Sequence, residues 1–451
     1  MTTTKKAFGL WSAVFLGIGS MVGAGIFIVI GQAGAIAGNL VWLSFIFGGV
    51  AALLSGYSLA RLAVVYPSRG GIVEYLVQGF GEGVFSGSSG VLFYFSQLIV
   101  IAAVAKSFGV YANTFIHGSH GMENLFALGV VGIFIFINLI GASLVAKSEN
   151  IIVAIKLTIL VSFAGAALFY IDPKLLSASN MPPVNSMLFA TGLTFFAYQG
   201  FSVITNTVED MQNPKKTMLY AMIISVLIVG VLYIVTSIAV LGNLPLAEVI
   251  KTKDYALAQA AEPIFGVIGF KVMAATALLA TASAINATLY AATEIGYTLA
   301  KEGNLPEVYT YNVHQSFEGL IISGLFIVPM ILFFNLSEVT TIAALVVLVI
   351  QGLTHVGHLL HLKKTGANFY LVLGAAVGMF CVAGLTLYYN SIHGMPLIGL
   401  YIFGAFILAL LVEIVLRMTT KRIIQIQTDE KLLAKFGNQV KEKFEKMLGE
   451  S

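Results

Sequence analysis

Twelve stretches of this chain are apolar for about 20 residues or more, the length a helix needs to cross a bilayer. They fall near 8–36, 40–65, 85–115, 124–142, 148–171, 186–208, 217–241, 264–299, 319–335, 338–362, 368–389 and 395–417. Lipid offers a backbone amide no partner, so each stretch must satisfy its own hydrogen bonds as a helix. The expected fold class is therefore an all-α polytopic membrane protein with 12 transmembrane helices. Charge agrees: Lys and Arg number 24 and Asp and Glu 21 in 451 residues, too few to wet a globular exterior. An ordinary soluble enzyme and a disordered chain are both excluded. The first run is too long for a signal peptide and lacks a small-residue cleavage site. A single cysteine, Cys381, excludes a disulfide scaffold and a multi-cysteine metal site. A net charge of +3 gives no argument for nucleic acid.

An even number of spans puts both termini on one side, and the Lys/Arg bias chooses the side. With the N-terminus inside, 18 of the 24 basic residues fall in inner loops or the tail. Five, Lys106, Lys174, Lys251, Lys253 and Lys271, fall at outer ends, and Lys156 lies within a span. The expectation is a multi-pass protein of the cytoplasmic membrane with both termini cytoplasmic. Residues 420–451 hold Ile423, Leu432, Leu433, Phe436, Val440, Phe444 and Leu448 at near-helical spacing among charges. They are expected to form an amphipathic helix on the inner face.

Two spans carry the features of interrupted helices. In the first, Gly17-Ile18-Gly19-Ser20-Met21-Val22-Gly23-Ala24-Gly25-Ile26-Phe27 places glycines at mid-depth. In the sixth, Thr194-Phe195-Phe196-Ala197-Tyr198-Gln199-Gly200-Phe201-Ser202 places polar groups and a glycine at similar depth. Gly19 and Gly23 alone also satisfy the GxxxG packing pattern; it is the pairing of the two runs that favours unwinding. Breaks at corresponding positions of two halves are the best sequence pointer to a transporter binding site. A half-helix starting near Gly23 would present free N–H groups to a carboxylate. One ending near Gly19 would present carbonyls to an ammonium group. A zwitterion with both groups on one carbon fits, and Gly23 and Gly25 would leave room for it to touch backbone.

These residues resemble a known family. The glycine-rich run of span 1 is similar to the signature of the amino acid–polyamine–organocation permeases. Pro67-Ser68-Arg69-Gly70-Gly71-Ile72-Val73-Glu74-Tyr75, Phe195-Phe196-Ala197-Tyr198-Gln199-Gly200-Phe201, Glu209-Asp210-Met211-Gln212-Asn213-Pro214 and Lys301-Glu302-Gly303-Asn304-Leu305-Pro306 resemble further motifs in order. The resemblance covers about residues 8–420. It implies a leucine-transporter-type core: a first repeat at 8–171, an inverted second repeat at 186–362, peripheral spans at 368–417, and flanking segments 1–7 and 420–451. It also implies secondary transport of amino acids or related amines by alternating access. Ser202 stands where many relatives carry a glutamate, which argues against a cationic substrate. Ala291-Ala292-Thr293-Glu294 stands where many carry an arginine, which leaves Glu294 without an assigned role.

Lys156 lies about 12 Å above the inner end of its span at 1.5 Å per residue. A charge there costs at least about 2.5 kcal/mol on insertion scales, so it is expected to face the bundle interior with a task. Desolvation penalises the charged form of an amine, which makes this one a candidate to load and release a proton. In the resembling permeases a lysine here occupies the place where sodium-driven relatives bind a cation. The expectation is that Lys156 replaces sodium and couples transport to protons, with Gly19, Val22, Thr281 and Ser283 as neighbours.

The expected binding residues are Ile18, Gly19, Ser20, Met21, Val22, Gly23, Ala24, Gly25, Ile26, Phe195, Ala197, Tyr198, Gly200, Ser283 and Asn286, with Tyr94 or Gln97 from span 3. No acid lies among them, which favours a neutral amino acid, with a broad range of side chains allowed. His355, His358 and His361 recur at steps of three near the inner end of span 10; without cysteine or acidic partners they are expected to anchor the inner face rather than bind metal. No Walker A or HExxH pattern is present, so no cofactor, metal or catalytic residue is expected. Exchange of amino acids or amines, and an amino-acid-binding membrane sensor with the tail helix as output, are the competing functions. The partners expected are a small-molecule amino acid, protons and the lipid bilayer. Oligomeric state is unreadable.

Overall fold

The computed structural model describes residues 9–419 apart from 24, 69, 117, 141–142, 178–180 and 315, with backbone alone for 120 and 143–150. The tail helix expected at 420–451, the segment 1–7, Ala24 and Arg69 lie outside the described residues. Helices α1 (Leu10–Met21), α2 (Gly25–Ala37) and α3 (Val41–Val65) come first. A short helix α4 (Ile72–Phe80) precedes α5 (Val84–Ile116), α6 (His120–Ile140) and α7 (Ser143–Ala167). Next come α8 (Ser186–Phe189) and α9 (Thr191–Tyr198), which runs directly into a 3₁₀ helix at Gln199–Asp210. Then follow α10 (Pro214–Asn243), α11 (Leu246–Lys251) and α12 (Ala256–Lys301). A two-residue hairpin pairs β1 (Asn312–Val313) with β2 (Ser316–Phe317) in antiparallel register, Asn312 opposite Phe317. The chain continues through α13 (Glu318–Phe333), α14 (Leu336–Leu359), α15 (Leu362–Thr365), α16 (Phe369–Ile392) and α17 (Ile398–Thr419).

Among the described residues nine helical stretches are long and apolar enough to cross a membrane, and two shorter apolar helices, α1 and α13, accompany them. One of the nine, Gly25–Val65, contains α2 and α3 joined through a 3₁₀ turn at Gly38–Leu40. Most boundaries expected from hydropathy fall within a few residues of the helix ends. The stretch expected at 264–299 differs most. Its helix starts at Ala256 and bends at Gly266, which takes φ 67° and ψ −165°. Pro263 inside it lacks an N–H donor, so the backbone there is weakened, and glycine alone adopts the turned conformation without strain.

Helices α5 and α14 form the buried centre, packed against each other and against α12, α6, α16 and α17. A second group packs α3 on α10 and α9. Large apolar side chains remain exposed around the outside, among them Phe136, Ile151, Leu325, Phe333 and Phe403. A water-bathed surface does not carry such a continuous apolar cover; lipid does. Helix ends are fastened locally. Asn335 Oδ1 accepts from Glu338 N (2.9 Å) while Glu338 Oε2 accepts from Asn335 N (2.8 Å), a capping box that starts α14.

Candidate functional site

Helix α1 stops at Met21 and α2 starts at Gly25, with Val22 and Gly23 in a turn between them. The glycine-rich run therefore breaks the first span at mid-length. The sixth span behaves otherwise. Its backbone changes helical type at Tyr198–Gln199, where the Gln199 N–H already bonds Phe196 O, three residues back. The tighter winding continues for 12 residues, whereas such runs seldom exceed three or four and long ones mark hinges or strain. An open break was expected here; the backbone instead keeps its internal pairing in a different register.

Glycine lets the two interruptions touch. A Cβ on Gly200 would fall into the backbone of Ser20 and Met21, and one on Gly25 into the backbone of Ala197. The start of the 3₁₀ helix thus lies on the end of α1, and the start of α2 lies on the end of α9. Gly25 was expected to leave room for a ligand; in this structure backbone from the opposite element fills that room, as it does at Gly200. A Cβ on Gly23 would lie 3.3 Å from Ser20 O, a tight approach, and 3.4 Å from Ala284 Cβ. Ser20, Gly25, Gln199, Gly200 and Ser202 keep part of their surface open, so the crossing is not sealed.

The last carbonyls of a helix have no partner within it, and α1 finds two elsewhere. Lys156 Nζ donates to Gly19 O at 2.9 Å, and the lysine is 1% exposed. Tyr233 Oη, on α10, donates to Met21 O at 2.7 Å and also lies 3.2 Å from Ala197 O. One hydroxyl thus bridges the ends of α1 and α9. Of the neighbours expected around Lys156, Gly19 is brought to it by this bond. Thr281 Oγ1 donates to Ala277 O of its own helix at 2.7 Å, and Val22 N donates to Ile18 O at 2.8 Å. Carbonyls expected to greet a substrate ammonium are therefore already engaged by side chains, at Gly19 and Met21.

Other expected binding residues scatter. Ile18, Met21, Val22 and Ile26 are buried around the break, and Phe195 is buried edge-on against Phe201. Tyr198 turns away from the crossing: its hydroxyl donates to Phe45 O of α3 at 3.0 Å, in an aromatic cluster with Phe45 and Tyr233. Asn286 Oδ1 accepts from Asn138 Nδ2 of α6 at 2.8 Å, with Ser283 buried one turn earlier on α12. Tyr94 pairs with Ser323 at 2.7 Å, and Gln97 Nε2 donates to Ser96 Oγ at 3.2 Å. Tyr233 and Asn138 escaped sequence reading. Each is one of several polar groups on a largely apolar helix, and the sequence does not say which partner it will meet.

Comparison with known proteins decides what such a crossing belongs to. Residues 8–431 match the family described as amino acid permease. The chain belongs to that family. Similar relatives include an uncharacterised protein of Methanocaldococcus jannaschii, 35% identical over 94% of this chain and 98% of its own. The inner membrane transport protein YbaT of Escherichia coli is 34% identical over 92% of this chain and 97% of its own. The serine/threonine exchanger SteT of Bacillus subtilis is 27% identical over 69% and 72%. As a permease, the chain is a multi-pass membrane transporter of the amino acid class.

Proposed function

We propose that this permease is a secondary active transporter of neutral amino acids that works by alternating access and is coupled to protons through Lys156. The proposed architecture has 12 spans, two inverted repeats of five, and both termini on the cytoplasmic side of the cytoplasmic membrane. The observation that carries the coupling is the 2.9 Å bond from Lys156 Nζ to Gly19 O. A protonated amine makes a charge-assisted bond about twice as strong as a neutral one. Loading the proton therefore tightens the hold of α7 on the end of α1, and releasing it loosens that end. The substrate carboxylate would meet the free N–H groups that begin α2, and its amine the remaining carbonyl capacity around Ser20. Both ligands act on the same few residues, which is what coupling requires.

In proteoliposomes, Lys156→Ala should abolish uptake driven by a pH gradient while counterflow of labelled neutral amino acids persists. Unchanged pH-driven uptake would overturn the coupling role, and a sodium requirement in the unaltered protein would overturn the replacement of sodium by lysine. Exchange is the second reading, favoured by the serine/threonine exchanger among the relatives. Counterflow without net uptake after a pH jump would select it.

A further inference from the structure

A column of buried side chains leads from the 3₁₀ changeover to the end of α14, outside the lysine site. Gln351 Nε2 donates to Gln199 Oε1 at 2.9 Å, and Ser55 Oγ donates to Gln351 Oε1 at 2.8 Å. Ser55 Oγ also lies 2.9 Å from His355 Nε2, and His355 Nδ1 lies 2.8 Å from Ser58 Oγ. The same Ser58 Oγ is 2.7 Å from His358 Nδ1, and His358 Nε2 is 2.9 Å from Thr365 Oγ1. Gln351, Ser55, Ser58, His355 and His358 are all 0% exposed. Of the three histidines expected to anchor the inner face, His355 and His358 are interior groups instead, because α14 turns them toward the two serines of α3, while His361 stays part-exposed against Tyr66.

Proton counting fixes the direction of every bond. A hydroxyl has one proton to give. Ser55 gives its proton to Gln351 Oε1, so it must accept from His355, which is then the Nε2–H tautomer. His355 Nδ1 is left as an acceptor, so Ser58 donates to it. Ser58 must in turn accept from His358, which is then the Nδ1–H tautomer, and Thr365 donates to His358 Nε2. Turning the Gln351 amide over, with Gln199 turning as well so that its NH₂ meets Gln351 Oε1, exchanges donor and acceptor and reverses each bond in the series. Any arrangement polarised in part leaves one buried group without a partner, which costs about 1–3 kcal/mol.

We propose that Gln351 is a two-position switch that sets the polarity of this whole column and so ties the state of the span-6 changeover to the turn that follows α14. Gln199 is the part-exposed end, one residue before the glycine that lies against Ser20 and Met21. Thr365 is the far end, on α15. A change in what Gln199 bonds is passed to Thr365 as a change of tautomer in both imidazoles, without movement of the helices between. Polarised chains of this kind strengthen each bond they contain, which keeps two uniform states and disfavours mixtures.

Nitrogen-15 NMR of the full-length protein labelled at histidine reads the tautomers, with assignments from His355→Asn and His358→Asn. Opposite tautomers at His355 and His358 are expected; the same tautomer at both would overturn the column. Gln351→Met removes the anchor and should convert His358 from one tautomer to a mixture, although Ser55, His355 and Ser58 stand between the two. A His358 signal unchanged in Gln351→Met would show that Thr365 sets the tautomer locally and would overturn the switch. Ser58→Ala is the second variant: it should leave His355 as it was and shift His358 alone, whereas a shift at neither would overturn the shared hydroxyl.

Discussion

At the scale of single residues, absence of a side chain matters as much as presence. Gly200 has backbone where its Cβ would be, on an element far away in sequence. Gly200→Ala should destabilise the protein by about 1–3 kcal/mol, as overpacked interiors do. Gly129, on α6, has nothing within 4 Å of that position, so Gly129→Ala should be neutral or gain up to about 1 kcal/mol from helix propensity. Thermal unfolding in detergent compares the two, and an equal response would refute the close approach. Tyr233→Phe keeps the ring and removes the hydroxyl that bonds Met21 O. A loss of about 1 kcal/mol is expected, together with weaker substrate binding measured by isothermal titration with a neutral amino acid that binds the unaltered protein. Gly19, Gly23 and Gly200 were all visible in the sequence. That Gly19 meets the side chain of Val153 and Gly200 the backbone of Ser20 and Met21 depends on residues more than 100 positions away, and periodicity holds no record of that.

At the scale of elements, the 3₁₀ helix at Gln199–Asp210 is the weakest piece of the central bundle. Its i→i+3 bonds are poorer than α-helical ones, and exposed residues interleave with buried ones along it. Backbone amides of 199–210 should exchange with deuterium faster than those of α10, which begins four residues later. Protection equal to that of α10 would contradict a mobile hinge. The entry to α10 is fixed by Asn213, at φ 51°, with Pro214 in the first turn. Asn-Pro is a legible stop-and-start signal, and the boundary expected at 217 from hydropathy alone lies three residues past the true helix start. The change from α to 3₁₀ was not legible, since Tyr198-Gln199-Gly200 reads equally as a break. The structure resolves it because Gly200 needs a tight turn to lie against Ser20 and Met21.

At the scale of the molecule, the distribution of lysine and arginine makes a prediction that the fold does not. With Cys381 replaced by serine, a cysteine at position 174 should react with an impermeant maleimide added outside intact cells, and one at 363 should not. The reverse pattern would invert the proposed orientation. Apolar run length had already determined the class of fold, because a backbone in lipid has only itself to bond. Lys156, the glycine-rich run of span 1 and the polar run of span 6 were also marked in the sequence, because charge and broken helices are expensive at that depth. The tertiary structure alone decided the rest: that Lys156 meets Gly19 O, that Tyr233 joins two helix ends, that Tyr198 faces α3, and that Ser55, Ser58, His355 and His358 form one column. Those are pairings between distant segments, set by how helices pack rather than by what each contains. A single sequence reports the cost of a buried polar group, and only the packed bundle shows the partner that offsets it.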